Sequence, residues 1–471
     1  MFKFNEVKFF VCCAIIFGII LVMLIPPFQS PDEDSHFKKA YVVSYGKLFP
    51  TSQDGIIGFY LPKNMVSYIN EKLNYIGNTS QKYSYTEMLL DDRVPQDYSE
   101  KVFSNFSTVG TTPVAYAAPA IGIFLSRVIT YIMGLKDISI TNMLYFARIF
   151  SLFLYIFLVA TAIKITPILK KSFCLIGLIP MSLSLAATIS YDSVIISIAL
   201  LAVAMILKLM FDDNVKKVDY RYIIGFGVIG FILLTIKPVY IPVLLPLIFV
   251  PKEKWGKGSI KELIKICAII LCISIGLYII NKIPSFFAKS ADTVTQPKEQ
   301  IKFVLEHPIY YIKIWLNTMI SGRGFYISGL FGIFGLLDTY LITAYTAIYM
   351  ILFFMIVISD ASLENKVIDW RQKIIYLLGI IASVFGIFFA MYIFWTSVLG
   401  GYGVGANTVT GVQGRYFIPL IPIGVMLFLN NSLQKNEKIR NFFNNVLNNS
   451  YIVAFTMLLV SSVTILLRFW C

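Results

Sequence analysis

Long uninterrupted runs of apolar residues alternate along this chain with short polar or basic segments, and the length of the runs matches a bilayer rather than a soluble core. Runs at 9–28, 142–163, 173–189, 193–211, 222–236, 239–250, 263–280, 340–358, 374–395, 416–430 and 451–469 predict an all-α polytopic membrane protein. That pattern amounts to about eleven spanning helices; several runs fall short of the ideal of about twenty residues, so tilts and kinks are expected. The first run follows Lys3 and Lys8, lacks a small-residue cleavage site and ends in Pro26-Pro27, so it reads as a retained span.

Between 29 and 112 the pattern turns polar, acidic in places and rich in tyrosine, the signature of a long extracytoplasmic loop with short helices at headgroup depth. The stretch 113–134 is apolar enough to span, but a full crossing there would put Lys170, Lys171 and every later basic cluster outside. It is therefore read as interfacial or re-entrant. The expected organisation is a single membrane domain over 1–471, with the loop region at 29–141 and the rest of the bundle at 142–471. No internal repeat points to two transporter halves.

Composition agrees: of 471 residues 57% are hydrophobic and 14% charged, too much apolar surface for a soluble fold of this size to hide. The net charge of +14 falls in short clusters between apolar runs, which is the positive-inside pattern and places the N-terminus in the cytoplasm. No basic patch is interleaved with aromatics, so the bilayer, and not nucleic acid, is the expected partner. Most of the six cysteines lie inside apolar runs, which argues against a disulfide framework, and the two histidines, His36 and His307, are too far apart for a histidine-rich metal site. Any metal would need oxygen ligands; a divalent cation such as Mg or Mn on Asp32 and Asp34 is the one candidate.

Four polar features converge on the predicted outer face. The first is PPFQSPDEDSHF (26–37), where Asp32, Glu33, Asp34 and His36 follow the first helix. Adjacent carboxylates repel, a cost relieved by a cation, by basic partners or by a raised pKa useful to a general base; the alternative is an acidic helix start favoured by the dipole. The second is Asp192, either a helix cap or a pocket carboxylate. The third is Lys237, which interrupts an apolar run before Pro238 and reads either as snorkelling or as a phosphate ligand at headgroup depth. The fourth is Arg415 with Tyr416, after a loop with six glycines from Gly400 to Gly414, which reads as an anion clamp or a positive anchor. Arg148, Arg127 and Arg323 are weaker candidates on the same face, and His307 before Pro308 reads as the start of an interfacial helix.

The segments PPFQSPDEDSHFKKAY (26–41), YFAR (145–148), IPMSLSLAATISYDS (179–193), KPVYIPVLLPL (237–247), FGIFGLLDT (331–339) and QGRYFIPLIP (413–422) resemble the bacterial membrane proteins of the "domain of unknown function 2142" family, related to type C (GT-C) membrane glycosyltransferases. The resemblance runs almost end to end. It implies a GT-C-like bundle in which a first-loop acid serves the acceptor and basic residues near the membrane hold a lipid-linked donor phosphate. Carried over by matching positions, Asp32 and Glu33 are the expected catalytic acids and Asp192 stands in the second acidic position, toward acceptor or metal; Asp34, where the family pattern usually has a Pro or small residue, and His36 join it from the reading of the residues themselves. Lys237, Arg415, Tyr416, Arg148 and Arg323 fall toward the donor phosphate. The expected reaction is transfer of a sugar from a polyprenyl-phosphate carrier to a cell-surface glycan, teichoic-type polymer or glycolipid outside the bacterial cytoplasmic membrane. A flippase for lipid-linked saccharides and a structural partner in envelope assembly are the competing readings.

Overall fold

The computed structural model describes residues 5–75, 77–84, 86–87, 99–135, 139–255, 295–363, 366–431 and 436–471, together with 268, 272, 276 and 279. Apart from those four positions the run expected at 263–280 lies outside this set, as does Cys267. The first part of the chain forms α1 (Glu6–Leu24), α2 (Glu33–Ser44), β1 (Thr51–Gln53), β2 (Ile56–Pro62), α3 (Lys63–Lys72) and β3 (Lys101–Ser104). The next part forms α4 (Ala117–Ile132), α5 (Ile140–Ile165), α6 (Lys170–Gly177), α7 (Pro180–Ala186), α8 (Tyr191–Phe211), α9 (Tyr220–Ile236) and α10 (Lys252–Trp255). Then come α11 (Thr295–Glu306), α12 (Pro308–Ser321), α13 (Arg323–Phe331), the short strands β4 (Ile333–Phe334) and β5 (Thr339–Tyr340), and α14 (Thr343–Leu363). The last are α15 (Trp370–Met391), α16 (Ile421–Met426), α17 (Glu437–Asn448) and α18 (Ser450–Phe469).

Among the described residues seven helices are long and apolar enough to cross a membrane: Glu6–Leu24, Pro113–Ile132, Ile140–Ile165, Tyr191–Phe211, Thr343–Leu363, Trp370–Thr396 and Ser450–Phe469. Proline accounts for the shorter pieces. The run expected at 173–189 is two short buried helices, α6 and α7, broken where Pro180 enters at the first position of α7 and removes an amide donor. The run at 239–250 is a 3-10 helix, Pro238–Phe249, carrying Pro242 and Pro246 inside it. The run at 416–430 is a 3-10 helix, Gly414–Leu420, with Pro419 inside, continued by α16 with Pro422 in its first turn.

The bundle has two ends, defined by which termini meet. α1 and α18 run parallel: Phe9 stacks near Tyr451 at one end, and Trp470 Nε1 donates to Leu24 O (2.8 Å) at the other. α5 runs against α1, with its Arg148 beside the end of α1 and its Leu152 beside Gly18. The starts of α1, α6 and α18 and the end of α14 gather at the first end, where Asp360 on α14 accepts from the amide and hydroxyl of Ser172 on α6 (2.7 Å each). The end of α1, the starts of α2 and α8 and the end of α9 gather at the second, which holds the site.

The loop region is not purely helical. β1, β2 and β3 form an antiparallel sheet in that order, with Thr51 opposite Gly58 and Phe59 opposite Ser104. The β1–β2 turn is Asp54-Gly55, both at positive φ (50° and 82°), the two-residue hairpin that Asp-Gly favours. α2 and α4 rise together from the site end, since His36 meets Tyr116 just before α4 and Arg127 on α4 donates to Ser44 O at the far end of α2 (2.6 Å). α4 then lies antiparallel on α5, where Gly122 fits against the backbone of Phe146 and Ala147. Thus the helix spanning Pro113–Ile132 starts beside the site and leads away from it, alongside the first part of α5. A buried cluster that includes Phe28, Phe37, Tyr68, Phe106, Ile123 and Leu144 fastens the loop region onto this pair.

Gly414 fixes how closely the 3-10 helix carrying Arg415 approaches α13. A Cβ there would collide with backbone atoms of Tyr326, Gly329 and Leu330, none of which can rotate away, whereas Gly400 has open space around it. Gly414→Ala is expected to lower stability by about 1–3 kcal/mol, and Gly400→Ala to leave it within about 0.5 kcal/mol. Thermal unfolding of the two variants in the same detergent checks this.

Candidate charged site at one end of the bundle

The chain leaves α1 at Leu24, cannot continue through Pro26-Pro27, and re-enters a helix at Glu33 through Asp32, which sits in the left-handed region (φ 61°). Asp is among the few residues with a carboxylate short enough to accept this conformation. Successive helical residues point about 100° apart, so the three adjacent acids diverge instead of clustering. Asp32 accepts from Arg415 Nη2 (2.8 Å), Glu33 from Arg148, and Asp34 from Lys38 (3.1 Å) one turn along α2.

Glu33 and Arg148 form a closed clamp. Arg148 Nε and Nη2 donate to the two carboxylate oxygens (2.7 and 2.6 Å), and the other donations go to the carbonyls of Val22 (3.1 Å), Ile25 (2.6 Å) and Pro26 (3.0 Å). Glu33 also accepts from the Ile189 amide (3.2 Å), and both side chains are fully buried. All five guanidinium N–H groups are therefore used. Glu33, expected as a catalytic acid, and Arg148, expected toward the donor phosphate, are thus bonded to each other in the interior and stand apart from the half-exposed Asp32. Together they pin the end of α1, the start of α2, α5 and the α7–α8 turn to one another.

The second arrangement is open. Arg415, 3% exposed, lies between two carboxylates: Nη2 on Asp32 (2.8 Å) and Nε near Asp192 Oδ2 (3.2 Å). Asp192 in turn takes a bond from Lys237 Nζ (2.7 Å), whose ammonium sits over the rings of Tyr416 (4.2 Å) and Tyr191 (4.8 Å). Tyr416 is anchored by Tyr240, whose hydroxyl donates to its carbonyl (2.8 Å). Two cations thus balance two anions in a row, Asp32–Arg415–Asp192–Lys237. Asp192 is almost buried, while the Asp32 side chain is 51% exposed. Among the described residues Arg415 Nη1 is buried without a hydrogen-bond partner, a donor left for something outside the row.

His36 backs this row. Its Nδ1 is 2.8 Å from the Tyr116 hydroxyl, and its ring meets Tyr191 edge to face at 4.7 Å. Burial lowers its pKa to about 4; Asp32 and Asp192 oppose that shift, and Arg415 and Lys237 add to it. The folded imidazole is therefore neutral where the unfolded one charges, so stability falls as pH drops from 6.5 and levels off below about 4. We expect a loss of about 3 kcal/mol across that window, absent from His36→Gln, in unfolding midpoints measured against pH.

Other expected residues lie apart. Arg323 is exposed, and its Nη1 donates to Ile320 O (2.9 Å). Asp34 turns to Lys38 while Asp32 turns to Arg415, so these acids do not present a shared metal site, and no group of three or more His, Cys, Asp or Glu suited to a metal occurs among the described residues. Two amides of the glycine loop are bonded within the protein: the Gly405 amide donates to Gln300 (2.9 Å) and the Thr410 amide to Thr396 (3.0 Å). His307 precedes α12 with its ring 5.1 Å from Phe303. Sequence reasoning passed over Tyr191 and Tyr116, which shape the site, and Lys39, whose buried ammonium donates to Val109 O (2.7 Å) and lies over Phe59. Tyr191 stands next to Asp192 in a segment already singled out; nothing local marks the other two.

Fold and site together define a multi-pass helical membrane protein with a charge-balanced cluster at one end of its bundle. The chain belongs to the family described as "Predicted membrane protein (DUF2142)", whose family model matches residues 15–424. No curated protein and no solved structure matches it.

Proposed function

We propose that the protein is a glycosyltransferase that moves a sugar from a polyprenyl-phosphate carrier to an acceptor hydroxyl at the outer face of a bacterial cytoplasmic membrane. The observation that carries this reading is the row Asp32–Arg415–Asp192–Lys237, with a half-exposed carboxylate at one end, two cations along it and a guanidinium donor with no partner among the described residues. The Asp32 carboxylate takes the proton of the acceptor hydroxyl as the acceptor oxygen bonds to the anomeric carbon. The bond from that carbon to the phosphate oxygen breaks, and its electron pair leaves on polyprenyl phosphate. A single displacement inverts the anomeric centre.

Arg415 and Lys237 stabilise the charge that grows on the leaving phosphate, and Asp192 holds both in place. Arg415 is shared, so donor phosphate and Asp32 compete for it: a bound donor draws the guanidinium toward itself and frees Asp32 for the acceptor. A wholly apolar groove of about 240 Å³ between α13, α14 and α16, which includes Leu330, Phe353 and Phe428, supports a lipid carrier. It adjoins the Arg415 segment where Gly329, next to Leu330, meets Gly414.

The test is a single-turnover assay in nanodiscs with a panel of radiolabelled polyprenyl-phosphate sugars. Acceptor-dependent release of polyprenyl phosphate is expected, with Arg415→Ala and Lys237→Ala raising KM for the donor at least about tenfold. Movement of an intact lipid-linked saccharide between leaflets without cleavage would instead make the protein an exporter.

A further inference from the structure

At the far end of α2 from Asp32, the loop region carries a second feature that the row of charges does not use. Tyr41 and Tyr45 on and just after α2, Tyr60 and Pro62 on β2, and Lys47 and Lys101 border a shallow cleft of about 60 Å³. The chain builds it from fixed parts. Tyr60 is held by its hydroxyl bond to Gln53 (3.0 Å) and packs edge-on against Phe103, its cross-strand neighbour, at 5.5 Å. Tyr45 packs at 4.9 Å from Tyr41, and the Arg127 guanidinium lies 3.6 Å above its ring.

Tyr45 and Tyr60 are nonetheless 39% and 45% exposed as whole residues, with the Arg127 guanidinium covering one face of the Tyr45 ring. The cations are also unspent: neither Lys47 nor Lys101 forms an ion pair or a side-chain hydrogen bond among the described residues. The nearest acid in sequence, Glu100, is already taken by Lys63 (2.8 Å). Exposed tyrosine faces suit the C–H faces of sugar rings, and unpaired ammonium groups suit phosphate or carboxylate.

We propose that this cleft binds an anionic glycan, a saccharide carrying phosphate or carboxylate groups, and that it is an acceptor subsite. The second clause rests on the glycosyltransferase reading; the first does not. The twelve residues of α2 rise about 1.5 Å each, which sets the cleft about 18 Å from Asp32 along the helix axis. A chain lying along α2 would reach Asp32 with one end while its anionic units met Lys47 and Lys101.

The experiment is a binding titration on the full-length protein in nanodiscs of neutral lipid, with hexagalacturonate as the anionic probe and maltohexaose as its uncharged counterpart. We expect saturable binding of the first, little of the second, and a loss of at least about tenfold in affinity for Lys47→Glu/Lys101→Glu. Both lysines are surface residues, so folding should be unaffected. Tyr60→Ala should weaken binding about fivefold. Asp32→Asn should bind the probe as wild type does, which separates this claim from the catalytic one. Unchanged affinity in the double lysine variant, equal affinity for maltohexaose, or complete displacement of the probe by vesicles of anionic lipid would overturn the proposal.

Discussion

Arg148→Ala should leave almost no folded protein in the membrane. The substitution strands Glu33, which is fully buried, without the guanidinium that neutralises it, and it frees three carbonyls at the end of α1. Breaking a buried pair by removing one partner costs about 3–5 kcal/mol, a large share of the stability of any domain. Glu33→Ala should be nearly as damaging for the mirror reason. Glu33→Gln should cost less, because a neutral amide keeps the shape and can still accept one of the two guanidinium bonds. The double variant Arg148→Met/Glu33→Leu should recover part of the loss, since it leaves no unpaired buried charge. Monodisperse yield in detergent and the unfolding midpoint read all four. Wild-type yield for Arg148→Ala would mean that the clamp does not hold these elements together.

Asp32→Asn should do the opposite: fold normally and fail in catalysis. Its side chain is half exposed, and an amide oxygen can still accept from Arg415, so stability should change by less than about 1 kcal/mol. An amide cannot take a proton from an acceptor hydroxyl, so the transfer rate should fall about 10²–10⁴-fold, with donor affinity retained or raised because a neutral side chain competes less for Arg415. Losses in donor affinity belong to Arg415 and Lys237. That division, rate at Asp32 and affinity at the cations, is a sharper signature than loss of activity at any one residue.

Much of the bundle could be read from the chain. Glu6–Leu24, Ile140–Ile165, Tyr191–Phe211 and Ser450–Phe469 fall where long apolar runs predict helices, because a bilayer demands a fixed length of apolar residues and little else. The prolines that break up 173–189, 239–250 and 416–430 are visible too, but whether a proline bends a helix or ends it depends on what packs around it. The Asp54-Gly55 hairpin carried a local signal that the tyrosine-rich composition of the loop obscured.

The site divides along similar lines. Asp32, Asp192, Lys237 and Arg415 stand out because charges at membrane depth need a reason, and the fold brings all four together. The partner of each was not legible. Glu33 and Arg148 are far apart in the chain, and Asp32 and Arg415 farther still, so the pairing is a product of the tertiary fold. Three consecutive acids look alike in a sequence, whereas one helical turn assigns them to three different cations.

The most direct test is the glycan composition of cell envelopes from a strain lacking the gene, complemented with wild type, Asp32→Asn or Arg415→Ala at matched protein levels in the membrane. The account predicts that one sugar or glycan disappears in the deletion, returns with wild type and does not return with either variant. Full restoration by Asp32→Asn would contradict it, because the carboxylate proposed to take the acceptor proton would then be dispensable.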